Sequence, residues 1–366
     1  MKLVKIFEEV PDFRTKGLIS HLLSEILVIS LCAVLSGADD FEEISEYGQE
    51  RESFLRQFLQ LPKGIPSSDT FRRAFQNIDT KSFEKCLHDH SEDILSGLED
   101  YQINIDGKVL RATGKRGKKT AAICIVSAWA SDYCLSLGQS KVDKKSNEKT
   151  AIPEIIKTVN VKGNLVTIDA MGCDKKIAGL IRYHEGDYHL ALKKNQKGLY
   201  EEVHDWMKKH KMKMDSHTEI DYVGGRIEKR TTYVCEDLRF IDESQNWQDS
   251  KRVVMIESKR SFKNGLEKTT EQSRFYISSK EEDAAYFSKV TRNHWGIENQ
   301  LHWYLDVVFN EDRQRVREGN APENMAIMRK LALQTLLKHK GKKSMKTFRK
   351  KIGWNENLVI QILQDF

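Results

Sequence analysis

Near residue 100 the hydrophobic period of this chain changes. Before that point apolar residues recur at helical spacing, and beyond it they alternate as in strands. INIDGKVL (103–110) alternates, AAICIVSAWAS (121–131) is rich in small and β-prone residues, and LSLGQSKV (135–142) comes next. A helix fits IPEIIKTV (152–159) and a strand fits NLVTIDA (164–170). A second helix fits CDKKIAGLIRYH (173–184), before the strand DYHLALKK (187–194). Strands in hairpin order, then strands alternating with helices, specify a mixed α/β sheet. Residues from about 215 to 280 read as a β-rich insert, with a hairpin around Gly224–Gly225 and further strands in KRVVMIESKR and KTTEQSRFYISS. From 281 onward the pattern is helical again, and the tail KGKKSMKTFRKK is basic.

Residues 1–100 read as helical throughout. The most apolar run, LLSEILVISLCAVLSGA (22–38), contains Ser24 and Glu25 and is short for a membrane span, so it is expected to be a buried helix stopped by Gly37. Asp39–Asp40 can cap the next helix. After the break LPKGIPSSDT, Ser67 or Ser68 can cap a helix carrying Phe71, Arg72, Arg73 and Phe75. That pair of helices is either a DNA-reading unit or an ordinary packed pair with a solvated Arg face. The expected division is a helical domain over 1–100 and an α/β domain over 101–366. With 366 residues and 39% apolar side chains, both have material for a core. The net charge of +6 permits a polyanionic partner without demanding one. The six cysteines are scattered and form no metal-ligand spacing, which reads as reduced thiols of the cytoplasm. The charged stretch before the apolar run is unlike a signal peptide.

Three carboxylates carry the candidate chemistry. Asp106 ends INID and Asp169 ends LVTID, so each is expected to project where its strand gives out. Two such carboxylates on neighbouring strands repel unless a cation lies between them. Hard divalent ions, Mg²⁺ or Mn²⁺, take oxygen ligands of this kind. Glu298 lies in RNHWGIENQLHWYLD, where a continuous helix places His294, Glu298 and His302 on one face. A third carboxylate completes a two-metal site able to act on a phosphodiester. The same residues also admit a plain reading, because Asp before Gly is common in turns and 54 acidic residues offer many trios. Zinc fits less well, since no second ligand cluster accompanies the His/Glu/His set.

Basic groups near these carboxylates are candidate phosphate contacts. GKVLRATGKRGKK places Lys108, Arg111, Lys115 and Arg116 beside Asp106; the alternative is a solvated hairpin. KKNQK offers Lys193, Asn195 and Gln196, although Asn195 can instead cap the helix that starts near Leu199. Arg226 and Arg230 in the insert either face DNA or protect a strand edge. Arg313 and Arg315, with Arg317, lie just beyond the helix of Glu298. Trp295 and Trp303 flank Glu298, where helical placement favours core packing over base stacking.

The segments GIPSSDTFRRAF, INIDGKVLR, KSNEKTAIPEI, VTIDAMGCDKKIA, GGRIEKR and RNHWGIENQLHWYLDVVFNEDRQRVR succeed one another in an order that resembles bacterial insertion-sequence transposases of the DDE type, in the group of the H-repeat-associated proteins. The resemblance spans nearly the whole chain. It implies a ribonuclease-H-like mixed sheet with a β-rich insert, preceded by an all-helical N-terminal domain. It implies that Asp106, Asp169 and Glu298 are the catalytic, metal-binding triad, loaded with two Mg²⁺ or Mn²⁺. It implies cleavage at transposon ends and transfer of the 3′-hydroxyl into target DNA by a homodimer or higher oligomer on double-stranded DNA, in the bacterial cytoplasm at the nucleoid and away from membrane. The chain departs from relatives that carry Tyr, Arg and Lys around the last Glu: His294 stands where Arg is expected, and Leu305–Asp306 stands where Lys falls. Two rivals remain, a degenerate copy that binds DNA without cutting it and a ribonuclease-H-like nuclease of repair or RNA turnover.

Overall fold

The computed structural model describes residues 2–15, 17, 19–114, 121–142, 148–262 and 269–365. It begins with six helices: α1 (Lys2–Glu8), α2 (Leu23–Ser36), α3 (Phe41–Glu50), α4 (Glu52–Leu55), α5 (Ser68–Asn77) and α6 (Thr80–Leu95). Asp40 caps α3 by accepting from the Glu42 and Glu43 amides, and Ser67 caps α5 through the Thr70 amide. The run from Leu23 to Leu35 is buried on every side, which explains its all-round apolar sequence. Glu25 within it has partners at one oxygen, because Oε1 accepts from the amides of Gln60 and Leu61 at 2.9 Å each. Among the described residues no helix is long and apolar enough to cross a membrane.

Nine strands then build one mixed sheet. They are β1 (Gln102–Leu110), β2 (Ile123–Ala130), β3 (Leu135–Lys141), β4 (Leu165–Ile168), β5 (Asp187–Leu192), β6 (Asp215–Val223), β7 (Arg226–Cys235), β8 (Arg252–Phe262) and β9 (Thr270–Ser278). Their order is β3-β2-β1-β4-β5-β9-β8-β7-β6. The pairs β1–β4 and β4–β5 are parallel and the others antiparallel. The insert is therefore a continuation of the same sheet, joined by β9 to β5. Gly224 and Gly225 both have positive φ, as a two-residue hairpin between twisted strands requires.

Helices α7 (Glu148–Thr158), α8 (Lys175–Tyr183) and α9 (Lys197–His210) share a core with one face of the sheet. Against the other face lies α10 (Ala284–His294), which packs on the insert strands through Ala284 and Phe287. A π-helical turn (Ile297–His302) comes next, then α11 (Trp303–Val307). The chain closes with α12 (Ala321–His339), α13 (Met345–Gly353) and α14 (Glu356–Gln364). These last helices share one core with α1–α6, which joins Leu27, Leu31 and Phe75 to Met328, Phe348 and Ile362. Arg349 fixes the two ends of the chain together. Its guanidinium donates to the carbonyls of Val34 and Ala38, at the end of α2, and to Asp39. Carbonyls that a helix end leaves without partners are satisfied in this way.

Candidate active site

Strand alternation sets the site. Ile103 and Ile105 point into the core beneath α7 and α8, so Gln102, Asn104 and Asp106 point to the opposite face, under α10. The parallel register pairs Ile105 with Ile168, which makes Asp106 and Asp169 the next residues on neighbouring strands. β1 itself runs on to Leu110 and pairs with β2, so Asp106 stands inside a strand, at the point where its parallel partner ends. Asp169 is held by its own turn: Oδ1 accepts from the amides of Met171 at 2.9 Å and Gly172 at 3.3 Å.

Glu298 reaches the same place from above. His302 Nδ1 lies 3.5 Å from Asp106 Oδ2 and 3.7 Å from Glu298 Oε2. Ligand atoms of Asp106, Glu298 and His302 all fall within 4.8 Å of one another. Burial pushes the Asp106 carboxyl up to about 8, with Glu298 and Asp169 adding to the rise. Glu298, about half exposed, is held below the usual carboxylate range by His302. A buried carboxyl that resists ionisation beside two others is the electrostatic signature of a place that takes a cation, and the oxygen-rich donor set suits a hard divalent one.

The His294, Glu298, His302 face is not formed by one regular helix. α10 ends at His294, and the π turn re-aims the chain from Ile297 onward; such turns recur at functional sites. His294 points back at the sheet, with Nδ1 2.8 Å from Thr167 Oγ1. The Asn104 amide nitrogen donates to the Asn293 carbonyl, so its oxygen is the acceptor for Thr167 Oγ1 at 2.6 Å. Thr167 thus spends its one proton on Asn104 and accepts from His294 Nδ1–H. That assigns the lone pair to Nε2. Burial holds this imidazole down at about 4, despite Asp169 and Glu298 nearby, so it is neutral at pH 7.

The candidate DNA contacts separate into two sets. Lys108 is not available: its side chain is 10% exposed, and Nζ is held by Asp306 Oδ1 at 2.6 Å and Glu311 Oε2 at 2.5 Å. Strand alternation turns it toward α11 and the turn after it, where its partners lie about 200 residues away in sequence. Asn195 does not cap α9; its amide donates to the Ala170 carbonyl at 2.7 Å. Gln196 donates to the Cys173 carbonyl at 3.0 Å. Both therefore brace the loop after Asp169. Arg111, Lys193, Arg313 and Arg315 are exposed, with Arg111 3.4 Å from Asp312. Lys115 and Arg116 lie outside the described residues.

A Transposase DDE domain model matches residues 98–334, and a DDE_Tnp_1-associated model matches residues 4–91. The chain belongs to the DDE transposase family. It is 38% identical to "Putative transposase YncI" of Escherichia coli O157:H7, over 99% of this chain and 94% of that protein. It is 36% identical to "H repeat-associated putative transposase YhhI" of Escherichia coli K12, over 99% of this chain and 98% of the relative. A protein in the dhlA 3′ region of Xanthobacter autotrophicus is 41% identical over 69% of the chain and 87% of its own length.

Within this transposase domain, three features of the site escaped sequence reasoning. Trp295 and Trp303 are 45% and 50% exposed, because the break after α10 turns both indoles outward instead of into the core. Trp295 carries the Arg274 guanidinium 5.0 Å above its ring. It forms one wall of a cleft of about 900 Å³ between the insert strands and α10, into which Arg226, Arg230, Arg260 and Arg292 also face. Asp221 pairs with Arg230 and Arg292, and Glu228 with Arg226 and Arg260, so the arginines are held in place. The third feature is Glu148, the first residue of α7. Its carboxyl lies over Gly107 with Cys124 Sγ 3.7 Å away, and burial and then Asp169 push it above the usual range. The segment KSNEKTAIPEI gives no periodic signal for that position.

Proposed function

We propose that this chain is an active DNA transposase in which Asp106, Asp169 and Glu298 hold two divalent cations, Mg²⁺ or Mn²⁺, against a phosphodiester at an element end. The observation that carries the reading is the meeting of Asp106, inside β1, with Asp169, at the end of the adjacent parallel β4, and Glu298 brought over Asp106 by the π turn. Bound there, the cations would polarise the scissile phosphate and ease deprotonation of the attacking water or 3′-hydroxyl. The protein residues supply placement. His302 orients Asp106 and Glu298, and the Asn104–Thr167–His294 chain fixes a neutral imidazole at the edge of the site. The loop after Asp169 is braced by Asn195 and Gln196. The order β3-β2-β1-β4-β5 agrees with a ribonuclease-H-like core to which β6–β9 are added as an insert.

Double-stranded DNA would approach along the arginine-lined cleft toward Glu298, with Arg111, Lys193, Arg313 and Arg315 as further phosphate contacts. Transposon ends and target DNA are both substrates in this reading, and two or more copies of the chain assemble on them. The helices of residues 1–100 add contacts to the end sequence. The test is cleavage of element-end DNA with Mg²⁺ or Mn²⁺ by the full chain and by Asp106→Asn, Asp169→Asn and Glu298→Gln. Each variant is expected to lose about a hundredfold or more in rate while still binding DNA. Retained cleavage in any of the three removes that residue from the triad. Binding without cleavage by the unaltered chain favours a DNA-binding copy, and a preference for RNA–DNA hybrid favours a nuclease.

A further inference from the structure

Glu298 approaches Asp106 and Asp169 from the α10 side of the sheet, and Glu148 approaches from the other side. Gly107 comes directly after Asp106 and so faces α7. A methyl group added to Gly107 would overlap the Glu148 carboxyl outright, so the missing side chain is the space this carboxyl occupies. Cys124 Sγ lies 3.7 Å from the Glu148 carboxyl, and after burial it is Asp169 that pushes this carboxyl above the usual range. The imidazole that lies against Asp106 and Glu298 is that of His302. That residue is 5% exposed, turns Nδ1 to Asp106 and Glu298, and keeps a buried Nε2 with no hydrogen-bond partner among the described residues. Among the described residues, one imidazole is far less positive charge than four carboxylates require.

From this we infer that Glu148 is a fourth carboxylate of the metal centre, closing its Asp169 side and helping to hold a divalent cation there, an inference that rests on the metal-dependent reading above. The four side chains together match in charge what two divalent cations carry. Asp106 lies between two half-sites, one bounded by Glu298 and the other by Asp169 and Glu148. Gly107 is then part of the same device, because any side chain at that position evicts Glu148 while leaving every carboxylate in the sequence.

The experiment titrates Mn²⁺ into the full-length protein by calorimetry, and counts bound Mn²⁺ by electron paramagnetic resonance, for the unaltered chain, Glu148→Gln and Gly107→Ala. Circular dichroism checks that each variant folds. Glu148→Gln is expected to weaken one Mn²⁺ site by about ten- to a hundredfold and to leave the other in place. Gly107→Ala should change binding in the same direction, and it carries the test if Glu148→Gln does not fold. Unchanged Mn²⁺ stoichiometry and affinity in the folded variants overturns the role of Glu148 while leaving the triad standing. Absence of Mn²⁺ binding by the unaltered chain overturns the metal reading itself, and Glu148 with it.

Discussion

Replacing Lys108 with Met separates a structural cation from a DNA ligand. In the folded chain its ammonium group sits between Asp306 and Glu311, which are 31% and 2% exposed as side chains. Burial alone would lower the pKa of Lys108, but Glu311 and Asp306 outweigh it and hold the group above the ordinary lysine value. Glu311, buried still more deeply, is kept below the usual carboxylate range by Lys108 and Arg329 against the opposing effect of burial. Removing the ammonium leaves a buried carboxylate with its nearest cation gone, which costs about 3–5 kcal/mol. With an unfolding entropy of about 2.1 cal/mol/K per residue over the 366 residues, the thermal midpoint falls by about 4–6 °C. The pH dependence has a definite sign. A lysine with a raised folded pKa contributes fully below its unfolded value near 10.4, and Glu311, with a depressed one, contributes above about 4.3. The deficit of Lys108→Met should therefore be constant from pH 6 to 9 and shrink as the pH falls through the carboxylate range. The assay is calorimetric melting of both proteins across that series, beside DNA binding at several salt concentrations. A midpoint within 1 °C of the unaltered chain, together with a salt slope reduced by about one, would refute the argument and return Lys108 to the phosphate contacts.

The same geometry gives three further outcomes. With its carboxyl pushed up to about 8, Asp106 must take up a proton to fold at pH 7 without a cation, a cost that Asp106→Asn avoids, so the EDTA-treated variant should melt above the unaltered chain, and Mg²⁺ should stabilise only the latter; stabilisation of both by Mg²⁺ would remove Asp106 from the cation site. Lys330 is pushed down to about 8 by burial, with Nζ donating to Ser127 Oγ and Gln139 Oε1. Its unfolded form binds more protons between pH 8 and 10.5, so the charged form costs about 3 kcal/mol below that window. The stability advantage of Lys330→Met in urea unfolding should accordingly narrow as pH rises from 8 to 10, and a constant difference would contradict the shift. Trp295→Ala should leave the melting midpoint nearly unchanged because the indole is half exposed, yet weaken DNA binding by about 1–3 kcal/mol if a base stacks there; quenching of indole fluorescence by DNA in the parent and not in the variant is the companion measurement.

What the sequence made legible was local. Asp40 and Ser67 could be named as caps because a cap needs only its own next three residues. The strand end at Asp169 could be read because alternation stops there, whereas β1 runs on past Asp106 to Leu110 because it keeps β2 as a partner, which local alternation does not reveal. The β-rich insert was visible as strands, but its attachment to β5 was not, since nothing in KTTEQSRFYISS specifies which edge it joins. Side-chain partners at long range were hidden altogether. Lys108 looked like a free cation beside Asp106, and Glu311 gave no sign of waiting for it. The spacing of His294, Glu298 and His302 assumed one uninterrupted helix, and the π turn sends His294 to Thr167 and the two tryptophans to solvent. Glu148 lies in KSNEKTAIPEI, one of the segments that carry the resemblance, but no role could be read for it there, because its meaning depends on the absence of a side chain on another strand.

The shared core of the first and last helices also sets a timetable. On the ribosome α2 is made early, apolar on all sides, and its mates α12 and α13 emerge roughly 300 residues later. At about 5–20 residues per second that interval is some 15–60 s, during which α2 is covered by α1, α3 and α5 but not yet by α12 or α13. Until then the face of α2 that α12 and α13 will cover is open, and a message truncated before α12 yields a product that cannot close it. Synthesis of α12 and α13 is thus a condition for the helical core to close.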